Sequence, residues 1–211
     1  MIFEVDDDLR FEIILLFKNT DREELLSDFL KLLKKEKNEY IRATLVKIVG
    51  KIGKYKVFKD LLPYLEDSDA RVRANTIEAL WFCINNKNKS KLYDIIVNLI
   101  NDDNMRVKIN AITFIWHINK KEALNKLINL LYTKDKLIFN AIKYAFIKNI
   151  DKDTLKRLFK ELIGSPRSIK ELIINIINDI SHKEPDLIKT QLIWFNKELR
   201  EIDLFLQKIT V

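Results

Sequence analysis

Three asparagines, Asn75, Asn110 and Asn140, recur at intervals of 35 and 30 residues, each inside an apolar stretch with helical spacing. A side-chain amide donates through its NH2 and accepts through its oxygen. A row of such amides can hydrogen-bond the backbone of an extended peptide. Phe82, Phe114, His117 and Tyr144 fall on neighbouring registers of the same stretches, and Glu78, Thr113 and Lys143 complete the face. Aromatic groups in such a place anchor partner side chains. The chemistry these ten residues support is non-covalent recognition of a protein or peptide. The competing reading is compositional, since Asn, Lys and Ile are all abundant in the chain.

Residues that make and break bonds are scarce. Cys83 is the only cysteine, so it has no intrachain disulfide partner and builds no thiolate zinc cluster. His117 and His182 are the only histidines, and neither sits in an HExxH or HxH arrangement. There is no Gly-rich phosphate loop, nucleophile elbow or triad order. The expectation is a chain with no catalytic residue, no metal and no cofactor.

The elements that carry the face follow from an apolar pattern. An apolar anchor is followed by a residue that is usually basic, then by apolar positions four, five and eight residues on. The pattern reads Leu9/Ile13/Ile14/Phe17, Ile41/Leu45/Val46/Val49, Val72/Ile77/Leu80, Val107/Ala111/Ile112/Ile115, Leu137/Ala141/Ile142/Ala145 and Ile169/Ile173/Ile174/Ile177. Successive anchors are 32, 31, 35, 30 and 32 residues apart. Such a period marks stacked helical repeats, each unable to bury its apolar face alone. Each stretch is the second helix, B, of a hairpin.

A first helix, A, precedes it, as in Leu25/Leu26/Phe29/Leu30/Leu33 and Leu92/Ile95/Ile96/Leu99/Ile100. Asp and Ser in the turns, as in Glu66-Asp67-Ser68-Asp69 and Asn101-Asp102-Asp103-Asn104, can cap helix B. Pro63 inside an A helix should kink or restart it. At +9 from their anchors Trp81 and Trp116 lie on the flank of helix B and read as repeat-to-repeat packing.

With only 3 Gly and 3 Pro in 211 residues, the chain reads as all-α. No long linker interrupts residues 1–211, which read as a single domain. The first unit, about residues 6–19, has a B helix without an A helix. The last begins near Pro185, with a short, irregular B helix expected from Glu198. Both read as terminal caps. No stretch approaches the ~20 apolar residues of a membrane span, and the N-terminus is acidic where a signal peptide is basic. The expectation is a cytoplasmic protein with no membrane partner.

Leu65-Glu66-Asp67-Ser68-Asp69-Ala70-Arg71-Val72-Arg73-Ala74 and Ile100-Asn101-Asp102-Asp103-Asn104-Met105-Arg106-Val107-Lys108 resemble the signature around the turn of HEAT repeats, and Glu39-Tyr40-Ile41-Arg42-Ala43 is a weaker copy. The resemblance implies a right-handed α-α superhelix, a HEAT-like solenoid of about six hairpins with atypical terminal caps. It implies that an Asp and a basic residue link neighbouring repeats, a polar ladder for which Asp67 with Arg73 and Asp102 with Lys108 fit. It also implies that the B helices line a concave groove.

Three functions stand open on this sequence. The first is a non-catalytic scaffold that binds a protein or extended peptide in the groove. The second is nucleic-acid binding, suggested by a net charge of +7. DNA glycosylases for alkylpurines are similar in size, basicity and HEAT-like build, but this chain lacks a groove cluster of Trp and Asp. The third, a metal-dependent HEAT enzyme, would need His-Glu pairs that the sequence does not contain.

Overall fold

The computed structural model describes residues 6–132 and 139–209, with side chains described to residue 197. The chain is an all-α, HEAT-like solenoid of helical hairpins. It falls into two compact units, Met1–Ala123 and Leu124–Val211.

In the first unit the B helices are α1 (Asp7–Leu16), α3 (Glu39–Gly53), α5 (Ala70–Cys83) and α7 (Met105–Trp116). They pack side by side in chain order. The A helices between them are α2 (Leu26–Lys35), α4 (Phe58–Leu61) and α6 (Lys89–Ile96), extended by 3-10 turns. Pro63 lies in the first turn of the 3-10 segment Leu62–Glu66, where its missing N–H is tolerated. The third A helix ends in the same way, as Val97–Asn101, without a proline. A 3-10 ending therefore does not require Pro63.

Each B helix of the first unit starts on a side-chain cap three residues before its anchor, whereas the later B helix Arg167–Lys183 starts on Pro166 without one. Asp6 accepts from the Leu9 N–H at 2.9 Å. Asn38 accepts from Tyr40 and Ile41, Asp69 from Arg71 and Val72, and Asn104 from Arg106 and Val107. Each cap satisfies N–H groups that the helix cannot. The core stripe is buried as the pattern requires, with Ile41, Leu45, Val46, Val49, Val72, Leu80, Val107, Ala111 and Ile115 fully enclosed. The first anchor departs from this. Leu9 is 48% exposed, because no A helix among the described residues covers α1.

The B helices α3 and α5 come into close contact at Gly50 and Ala79. A Cβ on Gly50 would lie 2.6 Å from Ala79 Cβ and 2.9 Å from its backbone. Neither neighbour can yield without moving α5. Gly50→Ala is expected to destabilise the protein by about 1–3 kcal/mol, read by denaturant unfolding, despite alanine's better helix propensity. At the end of α3, Lys54 has φ 48° and ψ −137°, a region that favours glycine. Lys54→Gly should relieve that strain and raise stability by about 1 kcal/mol, seen as a higher melting temperature.

In the second unit, α8 (Lys120–Leu131) begins four residues before the boundary, and α9 (Phe139–Lys148), α10 (Lys152–Gly164), α11 (Arg167–Lys183) and α12 (Pro185–Ile209) follow. The anchor Leu137 lies outside the described residues. On α11 the buried stripe is Ile169, Ile173, Ile176 and Ile180, while Ile174, expected in the core, is 56% exposed. The stripe follows i, i+4, i+7 and i+11, the narrower face that α9, α10 and α12 cover. The B helix expected from Glu198 is absent. α12 runs through that point as one 25-residue helix, with no Gly or Pro to break it. No helix among the described residues is long and apolar enough to cross a membrane.

Candidate functional site

The polar ladder runs forward along the first unit, one repeat out of step with the expected pairs. The basic residue after each anchor reaches the acid of the next repeat. Arg10 Nε lies 2.9 Å from Glu36, Arg42 Nε 2.8 Å from Asp67, and Arg73 Nε 2.8 Å from Asp102. Each acid also accepts a backbone N–H two residues on, from Asn38, Asp69 or Asn104. Asp67 meets Arg73 through its backbone carbonyl, which accepts at 2.8 Å, while its carboxylate acts on Arg73 by charge alone. Lys108 contributes its charge near Asp102 without a bond to it.

Arg10, Glu36 and Arg42 are ladder members that the sequence reading missed. Their signal was present: a base one residue after the anchor and an acid five before the next. Burial would raise the Asp102 carboxyl, but the Arg73 guanidinium and the Asn104 N–H outweigh it and hold it below the usual range.

On the exposed face of the B helices the asparagine row is committed to the fold. Asn75 Nδ2 donates to the Ala43 carbonyl at 2.7 Å, and its oxygen accepts from Arg106 at 2.7 Å. Asn110 Nδ2 donates to the Ala74 carbonyl at 3.0 Å and to Glu78 at 2.9 Å. Ala43 and Ala74 occupy the same register, so each Asn stitches its helix to the preceding B helix. Glu78 also accepts from Lys47 at 2.7 Å and stands 3.6 Å from Arg106. Burial tends to raise its carboxyl, but these partners bring it below the ordinary value. Asn75 and Asn110 therefore rigidify the wall, and their donors are not offered outward.

The aromatic groups separate as well. Phe114, expected to line the groove, is 3% exposed. Trp81 covers it edge-on at 5.8 Å between ring centroids and also leans on His117 at 4.4 Å. Trp81 does bridge adjacent repeats, yet it stays 40% exposed, beside Phe82 at 49%. Phe82 and His117 are exposed and Thr113 half-buried. Trp81, Phe114 and His117 thus form one aromatic cluster, and Trp81 with Phe82, next to it in the chain, makes an exposed ledge. The sequence reading placed Trp81 on the flank and missed its exposed side. Arg71 adds a stacked contact, 3.5 Å from the Tyr40 ring centroid.

The second unit holds the remaining candidates. Asn140 and Tyr144 are exposed, Tyr144 at 65%. Lys143 is half-buried and pairs with Asp179 at 2.8 Å. Lys148 lies over the Tyr144 ring, and Lys156 and Lys160 lie over Trp194 at 4.8 and 5.6 Å. Side chains 198–209, including the apolar Leu204–Ile209 stretch, lie outside the described residues.

Cys83 is buried, and burial pushes its thiol up to about 12, which keeps it protonated and inert at neutral pH. Among the described residues no group of three or more His, Cys, Asp and Glu is placed to hold a metal ion.

A ladder of acid and base across stacked hairpins, over a shared apolar stripe, defines an α-helical repeat protein. The chain belongs to the HEAT-repeat family, whose model matches residues 4–81 and 58–145. A designed armadillo repeat protein is similar in structure, with 17% sequence identity over 85% of this chain and 97% of that one, at a TM-score of 0.44. No curated protein matches the chain.

Proposed function

We propose that this protein is a non-catalytic scaffold that binds a segment of another protein on the exposed B-helix face of its first unit. Trp81 and Phe82 are the anchors. The observation that carries this reading is the ledge itself, two large aromatic rings left exposed on a wall that is otherwise tied down. Rigid aromatic groups at the centre of a polar surround are what interface hot spots are made of. The Lys47–Glu78–Asn110 network and the Arg106–Asn75 pair supply that surround and hold its backbone in register. Preorganisation of this kind lowers the cost of binding.

A second reading is nucleic-acid binding through the second unit. Two features favour it: 16 basic against 11 acidic residues over Leu124–Val211, and lysines lying on the Tyr144 and Trp194 rings. The first unit is nearly balanced, with 22 against 20, and most of its arginines are held in ion pairs.

The test is affinity capture by the full chain, with and without nuclease, beside a Trp81→Ala/Phe82→Ala double variant. A discrete protein that survives nuclease and is lost with the double variant supports the scaffold. Capture of nucleic acid, with all protein lost on nuclease treatment, overturns it in favour of the second reading.

A further inference from the structure

The first unit is close to neutral as a whole but polarised between its two edges. Alternation of the hairpins gathers the A-to-B turns at one end of the stacked helices and the B-to-A connections at the other. The turns 36–39, 66–69 and 101–104 hold seven acids and one base. The connections 54–57, 84–91 and 117–121 hold seven lysines and no acid. The fold uses the acids. Glu36, Asp67 and Asp102 take Arg10, Arg42 and Arg73, Asp69 caps α5, and Glu39 stands 3.3 Å from Arg71. Lys56 is likewise held, by Glu23 of the first connection. Lys87, Lys89 and Lys121, by contrast, are exposed and make no ion pair among the described residues. Lys89 also stands at the start of α6, where the helix dipole favours an acid over a base.

These lysines flank the aromatic ledge. Trp81 and Phe82 lie in the last turn of α5 and lead directly into 84–91. Trp81 leans on His117, which leads into 118–121. Between the two connections lies an open cleft of about 470 Å³, lined by Asn86, Lys89, Ser90, Tyr93, Ile118 and Asn119. Its ammonium, hydroxyl and amide groups can donate to a carboxylate. Glu122 bonds two of the lining residues, accepting from Tyr93 and from Asn119, so its own charge is already met. From Ala79 to Tyr93 the chain carries no acid.

Taking the scaffold reading as its basis, we infer that the protein segment held on the ledge is acidic. An apolar side chain of the segment packs on Trp81 and Phe82, and the Asp or Glu residues next to it reach Lys87, Lys89 and Lys121. A protein segment fits this surface better than a nucleic-acid strand. The three connections offer lysine without a single arginine, and arginine is the residue that pairs with phosphate bidentately and stacks on bases. Two exposed rings also make an anchor for side chains rather than a row on which successive bases stack.

Selection from a displayed library of random dodecapeptides on the full chain tests this, with Trp81→Ala/Phe82→Ala and Lys87→Gln/Lys89→Gln/Lys121→Gln as variants. All five positions are exposed, and melting curves check that both variants fold. Peptides whose binding is lost with the aromatic variant should carry Asp and Glu in excess beside an aromatic residue or leucine. The lysine variant should bind them at least ~10-fold more weakly than the wild type. Added salt should weaken the wild type and leave the lysine variant nearly unchanged. Ledge-dependent peptides with no acidic excess overturn the inference and leave the scaffold reading standing, as do acidic ones that bind the lysine variant as tightly as the wild type. Acidic peptides lost with the lysine variant but indifferent to Trp81 and Phe82 overturn the ledge and leave the lysine edge as the site of an acidic segment. An oligothymidine of the same length that outbinds every selected peptide, and weakens with the lysine variant, makes the edge a nucleic-acid surface and overturns the inference.

Discussion

Arg73→Ala is expected to lower the free energy of unfolding by about 3 kcal/mol, the largest loss among single ladder substitutions. Arg73 joins two repeats and closes its own turn. It bonds Asp102 through two nitrogens, at 2.8 and 2.9 Å, and donates to the Asp67 and Ser68 carbonyls. Both side chains of the pair are mostly enclosed, at 17% and 8% exposure. Removing the guanidinium leaves the Asp102 carboxylate half-desolvated with only a backbone N–H, and an unpaired buried charge costs ~3–5 kcal/mol. The remaining exposure trims that figure. In a chain of this size the loss corresponds to a fall in melting temperature of ~6–12 °C.

A double-mutant cycle with Asp102→Ala should show strong coupling, so that the double variant is more stable than the sum of the single losses predicts. A loss under ~1 kcal/mol would mean the rung is ornamental.

The same rung gives the acid limb. Asp102 ionises more easily folded than unfolded, because Arg73 and the Asn104 N–H outweigh burial. A depressed carboxyl stabilises the fold above the unfolded value, near pH 3.9, and that contribution is lost as pH falls through the folded value. Stability should therefore decline on acidification below about pH 4. Asp102→Asn should show a shallower decline over the same range, measured by denaturant midpoints at several pH values.

The second large effect concerns recognition. Trp81→Ala is expected to weaken binding of a captured protein partner at least ~30-fold, about 2 kcal/mol, by isothermal titration. The change in stability should be smaller than that of Gly50→Ala, since Trp81 keeps 40% of its surface in solvent. Phe114→Ala is the control with the opposite profile. That ring is enclosed, so its loss should cost ~3–5 kcal/mol of stability, with any binding loss following from the collapse of the ledge above it. If Trp81→Ala binds as wild type does while Tyr144→Ala does not, the partner sits on the second unit instead.

Local rules made much of this legible before folding. Hydrophobic period located the B helices, since an apolar stripe at 3–4 spacing has one way to be buried. The caps Asp69 and Asn104 were foreshadowed by polar turns, because capping is decided within four residues of chain. The continuous α12 was also written there, in the absence of Gly or Pro near Glu198, and reading a repeat into that stretch went beyond the residues.

Stacking alone decided the rest. Which acid meets which arginine depends on separations of 25 to 29 residues that only the packed hairpins bring to 2.8 Å. Whether an asparagine faces a ligand or a neighbouring carbonyl depends on the distance between two helices, and α3 and α5 approach closely enough at Gly50 and Ala79 to exclude any further side chain. Phe114 and Phe82 are both expected on the groove side of their helices, and only Phe82 is exposed. Phe114 lies seven residues past its anchor, where Ile48 and Ala79 are also buried against a neighbouring B helix, whereas Phe82 and His117 lie ten past theirs and stay exposed, so the stack decides which register is closed.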